Sequence, residues 1–318
     1  MQEQALSPDL LTACQASMQR GSLSFFLAAR LAGARLRTGL MVLYSWCRFC
    51  DDAVDACDQS EAIEQRTLAV DELRRLTWSA MHGGTKPLLQ KDQPVAFAAF
   101  HWLTQAYRIP DHYPQELLAG MDMDVAGQRY VTYDDLRLYC YRVAGVVGLM
   151  FSHLAGVSDE RALQNAADLG MAMQLTNIAR DVLTDLELGR VYLPDEWLMA
   201  AGLTTSDIGD VSKRAQLVAV VERMLSEADH FYASGEAGLK YLPWRAALAA
   251  GAARFIYAEI GQLVRRRGVH AWDQRAVVPL PRKLFLVCRA ILLVLRQRRG
   301  GLQGRWQPVT IRDIRRFS

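Results

Sequence analysis

Residues 169–194 read LGMAMQLTNIARDVLTDLELGRVYLP, with apolar residues recurring at helical spacing. A helix turns 100° per residue, so positions 0, 3, 7 and 11 share one face. Four polar residues occupy such positions: Gln174, Asn177, Asp181 and Asp185. Their neighbours are apolar, which predicts a mostly buried helix with one polar stripe. Buried carboxylates are costly without partners, so either a metal ion or a facing cationic group should satisfy them.

A second stretch, residues 44–55, reads YSWCRFCDDAVD and repeats this geometry. Its shared face, at spacings of 0, 4, 7 and 11, carries a phenol, a guanidinium and two carboxylates: Tyr44, Arg48, Asp51 and Asp55. Asp52 points about 100° aside. Carboxylates four residues apart repel each other on a helix, so a cationic group is expected to offset them.

Two Asp-x-x-x-Asp pairs on facing helices predict a magnesium site. Mg²⁺ prefers oxygen ligands and often binds through one or two carboxylates together with substrate phosphates. Arg48 and Arg180 lie beside the pairs, and arginine is suited to bidentate phosphate contacts. A single pair of this kind is more often solvated surface charge. Two pairs, each extended by polar residues on the same face, favour a diphosphate site.

The Cys-x-x-Cys pair formed by Cys47 and Cys50 suggests a different chemistry. A zinc site needs a second pair of ligands, and the sequence has no second Cys-x-x-Cys and no suitably spaced histidine pair. A thioredoxin-like role needs a βαβ context. We therefore interpret both cysteines as packing residues. The six cysteines of the chain show no paired framework, which suits a reducing compartment.

The composition predicts an all-α protein. The chain has 318 residues, 51% of them hydrophobic, and alternating strand-like runs are nearly absent. No linker or repeat divides it, so we expect one domain over residues 1–300 and a basic tail at 301–318 that is disordered. The net charge of +3 is too small to argue for a nucleic-acid partner.

The two ends of the chain bear on its location. The N-terminus has no basic segment followed by an apolar run, which predicts a cytoplasmic protein. The apolar stretch 284–295 is broken by Arg289 and is shorter than the roughly 20 residues of a spanning helix. From Arg282 onward ten basic residues face a single acid, Asp313. This end is either a soluble helix with a solvated tail or a peripheral contact with anionic lipid on the inner face of the cell membrane.

Five stretches together resemble the squalene and phytoene synthase family of head-to-head prenyltransferases, and most of all its bacterial phytoene-forming members. The resemblance covers about residues 22–283. It is carried by SLSF at 22–25, YSWCRFCDDAVD at 44–55, YCYRVAGVVGLM at 139–150, the stretch at 169–194 and AARFIYAEI at 252–260.

The resemblance implies an isoprenoid-synthase-type helical bundle with a central cavity. It implies Mg²⁺, or Mn²⁺, held by five ligands: Asp51, Asp55, Asn177, Asp181 and Asp185. The substrate-binding residues implied are Gly21, Ser22, Leu23, Ser24, Phe25, Tyr44, Arg48, Gln174, Arg180 and Tyr257. Those implied in catalysis are Tyr44, Arg48 and the four paired aspartates. In the family the residue at Leu23 is commonly lysine, so one phosphate contact is lost here; Arg20 and Arg282 are the candidates to replace it.

The activity implied is the condensation of two geranylgeranyl diphosphates, through prephytoene diphosphate, to phytoene in carotenoid biosynthesis. No NADPH is expected, and other carotenoid-pathway enzymes are the expected protein contacts. Two alternatives remain open. One is a squalene or dehydrosqualene synthase that acts on farnesyl diphosphate, and the other is a non-catalytic assembly protein with the same fold. The small residues of VAGVVG, at 143–148, either let helices approach closely or leave room for a long chain.

Overall fold

The computed structural model describes residues 6–56, 63–83 and 94–299, and every regular element in these ranges is helical. The all-α prediction is therefore confirmed. The α-helices of the described ranges are α1 Pro8–Gly21, α2 Leu23–Ala29, α3 Ala34–Asp55, α4 Ile63–His82, α5 Val95–Tyr107, α6 His112–Val125, α7 Tyr133–Cys140, α8 Val146–Leu154, α9 Glu160–Glu187, α10 Asp195–Ala200, α11 Arg214–Gly238, α12 Trp244–Arg267 and α13 Leu280–Arg299. A π-helical segment, Tyr141–Gly145, joins α7 to α8. The expected basic tail at 301–318 lies outside the described residues, and the single-domain prediction stays a prediction.

Helix α9 is the centre of the bundle and packs against α8, α11 and α12. It begins at Asp159, whose carboxylate accepts hydrogen bonds from the backbone N–H groups of Arg161 and Ala162, both at 3.0 Å. Such an N-cap satisfies donors that the first turn of a helix leaves free. Leu175 and Ala179 are fully buried on α9. The helix that the sequence predicts is thus present, and it continues to Glu187.

Two glycines let α8 approach α9 closely. A Cβ atom on Gly148 would lie 2.1 Å from the carbonyl oxygen of Ala166, and one on Gly170 would lie 2.2 Å from that of Ala144. Both distances are far inside van der Waals contact. Gly148 also lines the central cavity described below. Gly148 therefore both lets two helices approach closely and leaves room in the cavity, the two interpretations given for the VAGVVG stretch.

We expect Gly148→Ala to lower the free energy of unfolding by about 3 kcal/mol, because the backbones of two helices must move apart. The midpoint of urea unfolding measures this. Gly33→Ala is the matched control, since a Cβ there lies 3.6 Å from the nearest side-chain atom and the residue has an ordinary φ of −62°. Equal stability of the two variants would contradict the close contact.

Helix α3 is anchored by Trp46, which is fully buried. Its ring stacks on Phe100 with 4.2 Å between ring centroids, and its Nε1–H donates to Thr77 Oγ1 at 3.3 Å. Cys50 is also fully buried, and Cys47 is a half-buried free thiol beside the cavity. Cys50 acts as a packing residue. Cys47 lies three residues after Tyr44 and four before Asp51, so it borders the polar face of α3, whereas Trp46 lies on the opposite side.

Helices α12 and α13 are antiparallel. Gly251 faces Ala290 and Val294 of α13, and Arg298 Nη2 donates to the carbonyl of Leu242 at 2.9 Å, just before α12 begins. In the ranges that the structure describes, no helix is both long and apolar enough to cross a membrane.

Candidate active site

A cavity of about 290 Å³ runs between the helices of the bundle. Its wall is built from small apolar residues of α2, α8, α9 and α12, among them Ala28, Ala29, Gly148, Ala162, Ala166, Ala249, Ala250 and Ala253. At one end the lining becomes polar, with Tyr44, Gln174, Asn177 and Tyr257. The central cavity expected from the family resemblance is present, and its polar end coincides with residues from both aspartate stretches.

Aromatic side chains line this polar end. The Phe25 ring centroid lies 6.0 Å from that of Tyr44 and 5.2 Å from that of Tyr257. The Ser22 hydroxyl caps α2 by accepting from the Phe25 N–H at 3.2 Å, and its side chain also hydrogen-bonds to Tyr257. A Cβ atom on Gly21 would lie 2.2 Å from the Tyr44 hydroxyl. The structure thus brings the 21–25 stretch against both tyrosines.

Leu23, which stands where lysine was expected from the family resemblance, is half-exposed in the first turn of α2. Of the two candidates to replace the lost cation, Arg282 donates to Glu259 at 3.0 Å. Glu259 is 200° around α12 from Tyr257, so this arginine is held away from the cavity end. Arg20 is exposed in the last turn of α1, directly before Gly21.

On α3, the first aspartate pair is partly neutralised by Arg48. Its guanidinium contacts Asp51 at 3.3 Å and Asp52 at 2.5 Å. The Asp51 side chain keeps 55% of its surface exposed, while the protein on its inner side and the nearby Asp55 raise its pKa to about 6. The repulsion predicted from the sequence is therefore present, and Arg48 does not remove it.

The second pair, on α9, has two members in unlike surroundings. Burial raises the pKa of Asp181, but hydrogen bonds from Arg180 and Arg275 outweigh burial and lower it below the ordinary value. Arg275 reaches Asp181 with Nε and Nη2, both at 3.1 Å. Asp185 has no comparable partner among the described residues, and burial together with Asp181 raises its pKa to about 7. One carboxylate is held ionised and its neighbour is poised to take a proton or a cation.

Arg190, three residues beyond α9, lies near both pairs, and its charge also acts to lower the pKa of Asp185. This largely buried arginine donates to Asp55 at the end of α3 at 2.6 Å. It also lies in the field of Asp124 from α6, which accepts hydrogen bonds from Tyr192 at 2.7 Å and Tyr139 at 3.0 Å. The structure therefore places both aspartate motifs at the same end of the cavity, with Asp124 near both.

Sequence reasoning missed three groups here: Asp124, Arg190 and Arg275. Arg190 stands in the quoted stretch at GRVYLP, so its position after the second pair was a usable signal. Asp124 and Arg275 lie on other elements, and only the folded chain brings them close. Arg180, expected to contact phosphate, is 13% exposed and pairs with Asp181, and its contact with phosphate stays a prediction.

The residues present fit a divalent cation. In the part of the chain that the structure describes, no three His, Cys, Asp or Glu side chains form a metal-binding group by themselves. However, the buried Oδ1 of Asn177 has no described hydrogen-bond partner, and its Nδ2 donates to Gln174. An unpartnered amide oxygen beside mutually repelling carboxylates is an all-oxygen donor set, which suits Mg²⁺ when water and phosphate oxygens complete the shell.

Residues 18–282 match the squalene/phytoene synthase family. The chain belongs to the squalene/phytoene synthase family. One member of this family, a phytoene synthase of Pseudescherichia vulneris, is 42% identical over 309 residues, which cover 94% of this chain and 98% of that protein. A 15-cis-phytoene synthase of Paracoccus sp. is 38% identical over 307 residues, with 94% and 97% covered. The resemblance drawn from the five stretches is confirmed.

Solved structures agree with the family assignment. A crystal structure of a dehydrosqualene synthase in complex with ligand superposes with a TM-score of 0.77 at 26% identity, covering 89% of this chain and 95% of that one. A squalene synthase from Alicyclobacillus acidocaldarius has the same fold, with a TM-score of 0.71 at 22% identity over 83% of this chain and 97% of that one. The predicted isoprenoid-synthase-type helical fold is confirmed.

Proposed function

We propose that this member of the squalene/phytoene synthase family is a prenyltransferase that joins two geranylgeranyl diphosphates head to head to form phytoene. The observation that carries the proposal is the apolar cavity whose polar end is lined by Tyr44 and Asn177, the residues that precede the two aspartate pairs on α3 and α9. A prenyl diphosphate has the same two halves, an anionic head and a long apolar tail. Relatives that are 38–42% identical over most of the chain carry the name phytoene synthase, which favours the twenty-carbon substrate.

The head group is held at the polar end. Mg²⁺, or Mn²⁺ in its place, would be held by Asp51, Asp55, Asn177, Asp181 and Asp185, and when bound it stabilises negative charge on the departing diphosphate as a Lewis acid. Arg48 and Arg275 are 43% and 65% exposed, so both guanidinium groups can turn toward phosphate oxygens. Arg180 is nearly buried, remains paired with Asp181 and holds that carboxylate in position.

The tail and the allylic cation lie in the apolar part. Loss of diphosphate from one substrate leaves a cation, which the second substrate attacks to give prephytoene diphosphate with loss of a proton. A second ionisation, rearrangement and proton loss give phytoene and the second diphosphate. The faces of Tyr44, Tyr257 and Phe25 stabilise positive charge, and the alanine-rich wall excludes water. No step consumes a reductant, so NADPH is not required.

An apolar product also favours action at the cytoplasmic surface of a membrane, beside the other enzymes of carotenoid synthesis. Phytoene has no polar group, and its release into water is unfavourable in proportion to its apolar area. We therefore expect synthesis to occur where a bilayer or a following enzyme can accept the hydrocarbon.

The deciding experiment supplies purified protein and Mg²⁺ with geranylgeranyl or farnesyl diphosphate, each with and without NADPH. We expect phytoene from geranylgeranyl diphosphate, with a rate that does not depend on NADPH and is abolished by EDTA. A hydrocarbon formed only from farnesyl diphosphate would identify a squalene or dehydrosqualene synthase instead. No product from either diphosphate would favour the assembly protein.

A further inference from the structure

Helix α13 carries an apolar face that no described part of the chain covers. Its inner side is buried against α12 through Leu286, Ala290 and Val294. Its outer side exposes large apolar residues that are 41–62% accessible: Leu284, Phe285, Leu292 and Leu295. Cys288 is exposed among them. On the helical wheel these five residues fall within about 100°, so they form one continuous stripe. We call the stripe the outer face of α13.

Positive charge borders the outer face on one side. Arg282, Arg289 and Arg296 are spaced seven residues apart and follow its edge. The guanidinium of Arg282 lies 5.0 Å from the Phe285 ring centroid, and that of Arg289 lies 4.5 Å from the ring centroid of Phe255 on α12. These contacts fix two of the charges beside the stripe instead of leaving them free in solution.

The charge around α13 is not balanced. The segment Leu280–Arg299 has six basic residues and no acidic one, although the whole chain carries a net charge of only +3. Lys283 points inward and is buried. Glu259 of α12 is shared between Arg266 and Arg282, so it neutralises only one of them. The surface beside the outer face therefore keeps an excess of positive charge.

An aromatic residue marks one end of this surface. Trp244, the first residue of α12, is 47% exposed. The hydrogen bond from Arg298 to Leu242 brings the C-terminal end of α13 to the start of α12. An indole ring beside arginines and an apolar stripe is the composition of helices that lie in the interface of a bilayer.

We propose that the outer face of α13 is a membrane-docking surface that binds an anionic phospholipid bilayer. Its apolar stripe, about 17 Å long from Leu284 to Leu295, enters the region between head groups and acyl chains. The arginines of its edge contact lipid phosphates. Charge complementarity selects an anionic bilayer over a second copy of the chain, because two copies would bring two positively charged surfaces together. Binding of this face to a bilayer does not require the proposed activity. Only the biological purpose of the binding rests on the proposed function.

Flotation of the full chain with lipid vesicles tests the proposal without any substrate. We expect binding to phosphatidylglycerol vesicles at least about tenfold stronger than to phosphatidylcholine vesicles, and high salt should reduce this preference. The double variant Leu284→Gln/Leu292→Gln should bind both vesicle types at least about tenfold more weakly. Arg296→Glu should lose about tenfold on anionic vesicles and little on neutral ones.

The matched control is Leu68→Gln/Met199→Gln, which removes two equally exposed apolar side chains from α4 and α10. It should bind vesicles like the parent. All replaced residues are solvent-exposed, so circular dichroism should show unchanged helix content. Vesicle binding that is absent in the parent, or equal in the α13 variant and the control, would overturn the proposal. The proposal would also be overturned if the parent protein is a dimer, the α13 variant is a monomer, and lipid has no effect on either. Because the assay contains no prenyl diphosphate, its failure is distinct from failure of the proposed activity.

Discussion

Asp51→Asn is expected to lower kcat for the condensation of prenyl diphosphates by about 10³-fold, the loss of several kcal/mol of stabilisation of the departing diphosphate. The side chain is exposed near the end of α3, and the amide of asparagine has nearly the same size and shape as the carboxylate. Helix content and the unfolding midpoint should therefore stay near those of the parent. Steady-state kinetics gives the first result and circular dichroism the second. Isothermal titration with Mg²⁺ and inorganic diphosphate should show weakened binding in the same variant.

Asp52→Asn is a closely matched control for this prediction. Asp52 is the next residue, its side chain is 57% exposed against 55% for Asp51, and both contact Arg48. It points away from the face that holds Tyr44, Asp51 and Asp55. We expect its kcat to fall less than about threefold, the effect of a weak surface ion pair. Comparable losses in both variants would mean that only the total charge at this end of the cavity matters, and the assignment of Asp51 as a ligand would be wrong.

Arg190→Met is expected to destabilise the protein by about 2 kcal/mol in EDTA. The change leaves Asp55 without its cation and removes the positive charge next to the buried Asp124. The loss is smaller than for a fully buried pair, because 37% of the Asp55 side chain remains exposed. A cation placed among the same carboxylates should replace the missing charge. Mg²⁺ with inorganic diphosphate should thus restore most of the lost stability, which urea unfolding with and without these ions measures.

The comparison variant for Arg190 is Arg75→Met, which breaks an exposed ion pair with Glu72 on α4. Such fully exposed pairs contribute little to stability, and the small loss of stability in Arg75→Met should not respond to Mg²⁺. If Mg²⁺ and diphosphate restored the stability of Arg75→Met to the same degree, the effect would be a general effect of salt. An Arg190→Met variant whose instability ignores Mg²⁺ and diphosphate would show that the carboxylates around Arg190 do not take up a cation.

The polar stripes of α3 and α9 were predictable from the sequence because each is a local pattern. Four polar side chains at spacings of 0, 3 or 4, 7 and 11 define a face before anything is known about the rest of the chain. The same reasoning predicted that cations would face the carboxylates. It could not say which cations, because Arg190 reaches Asp55 across 135 residues of sequence and Arg275 reaches Asp181 across 94.

Other features had no local signal. Asp124 is an ordinary acidic residue of α6 in the sequence, and its burial beneath two tyrosine hydroxyls arises only from tertiary packing. The contact of Gly148 with the Ala166 carbonyl likewise depends on how two helices cross. The apolar stretch at 284–295 was correctly interpreted as too short to span a membrane. Which of its side chains face outward depended on where α12 packs against it.

Helix α9 lines the cavity over several turns. Asn177 lines the polar end, and Ala162, fifteen residues earlier on the same helix, also lines the cavity. At a rise of 1.5 Å per residue the two positions are about 22 Å apart along the helix axis. In the proposed function, the prenyl tail lies along this length of α9. Measured from the head-group site, each further turn of α9 toward Asp159 adds about 5.4 Å to the length of prenyl chain that fits. Substitution of one side chain along α9 would therefore change the length of prenyl chain that the cavity accepts. The residues at the polar end, and their chemistry, would stay the same.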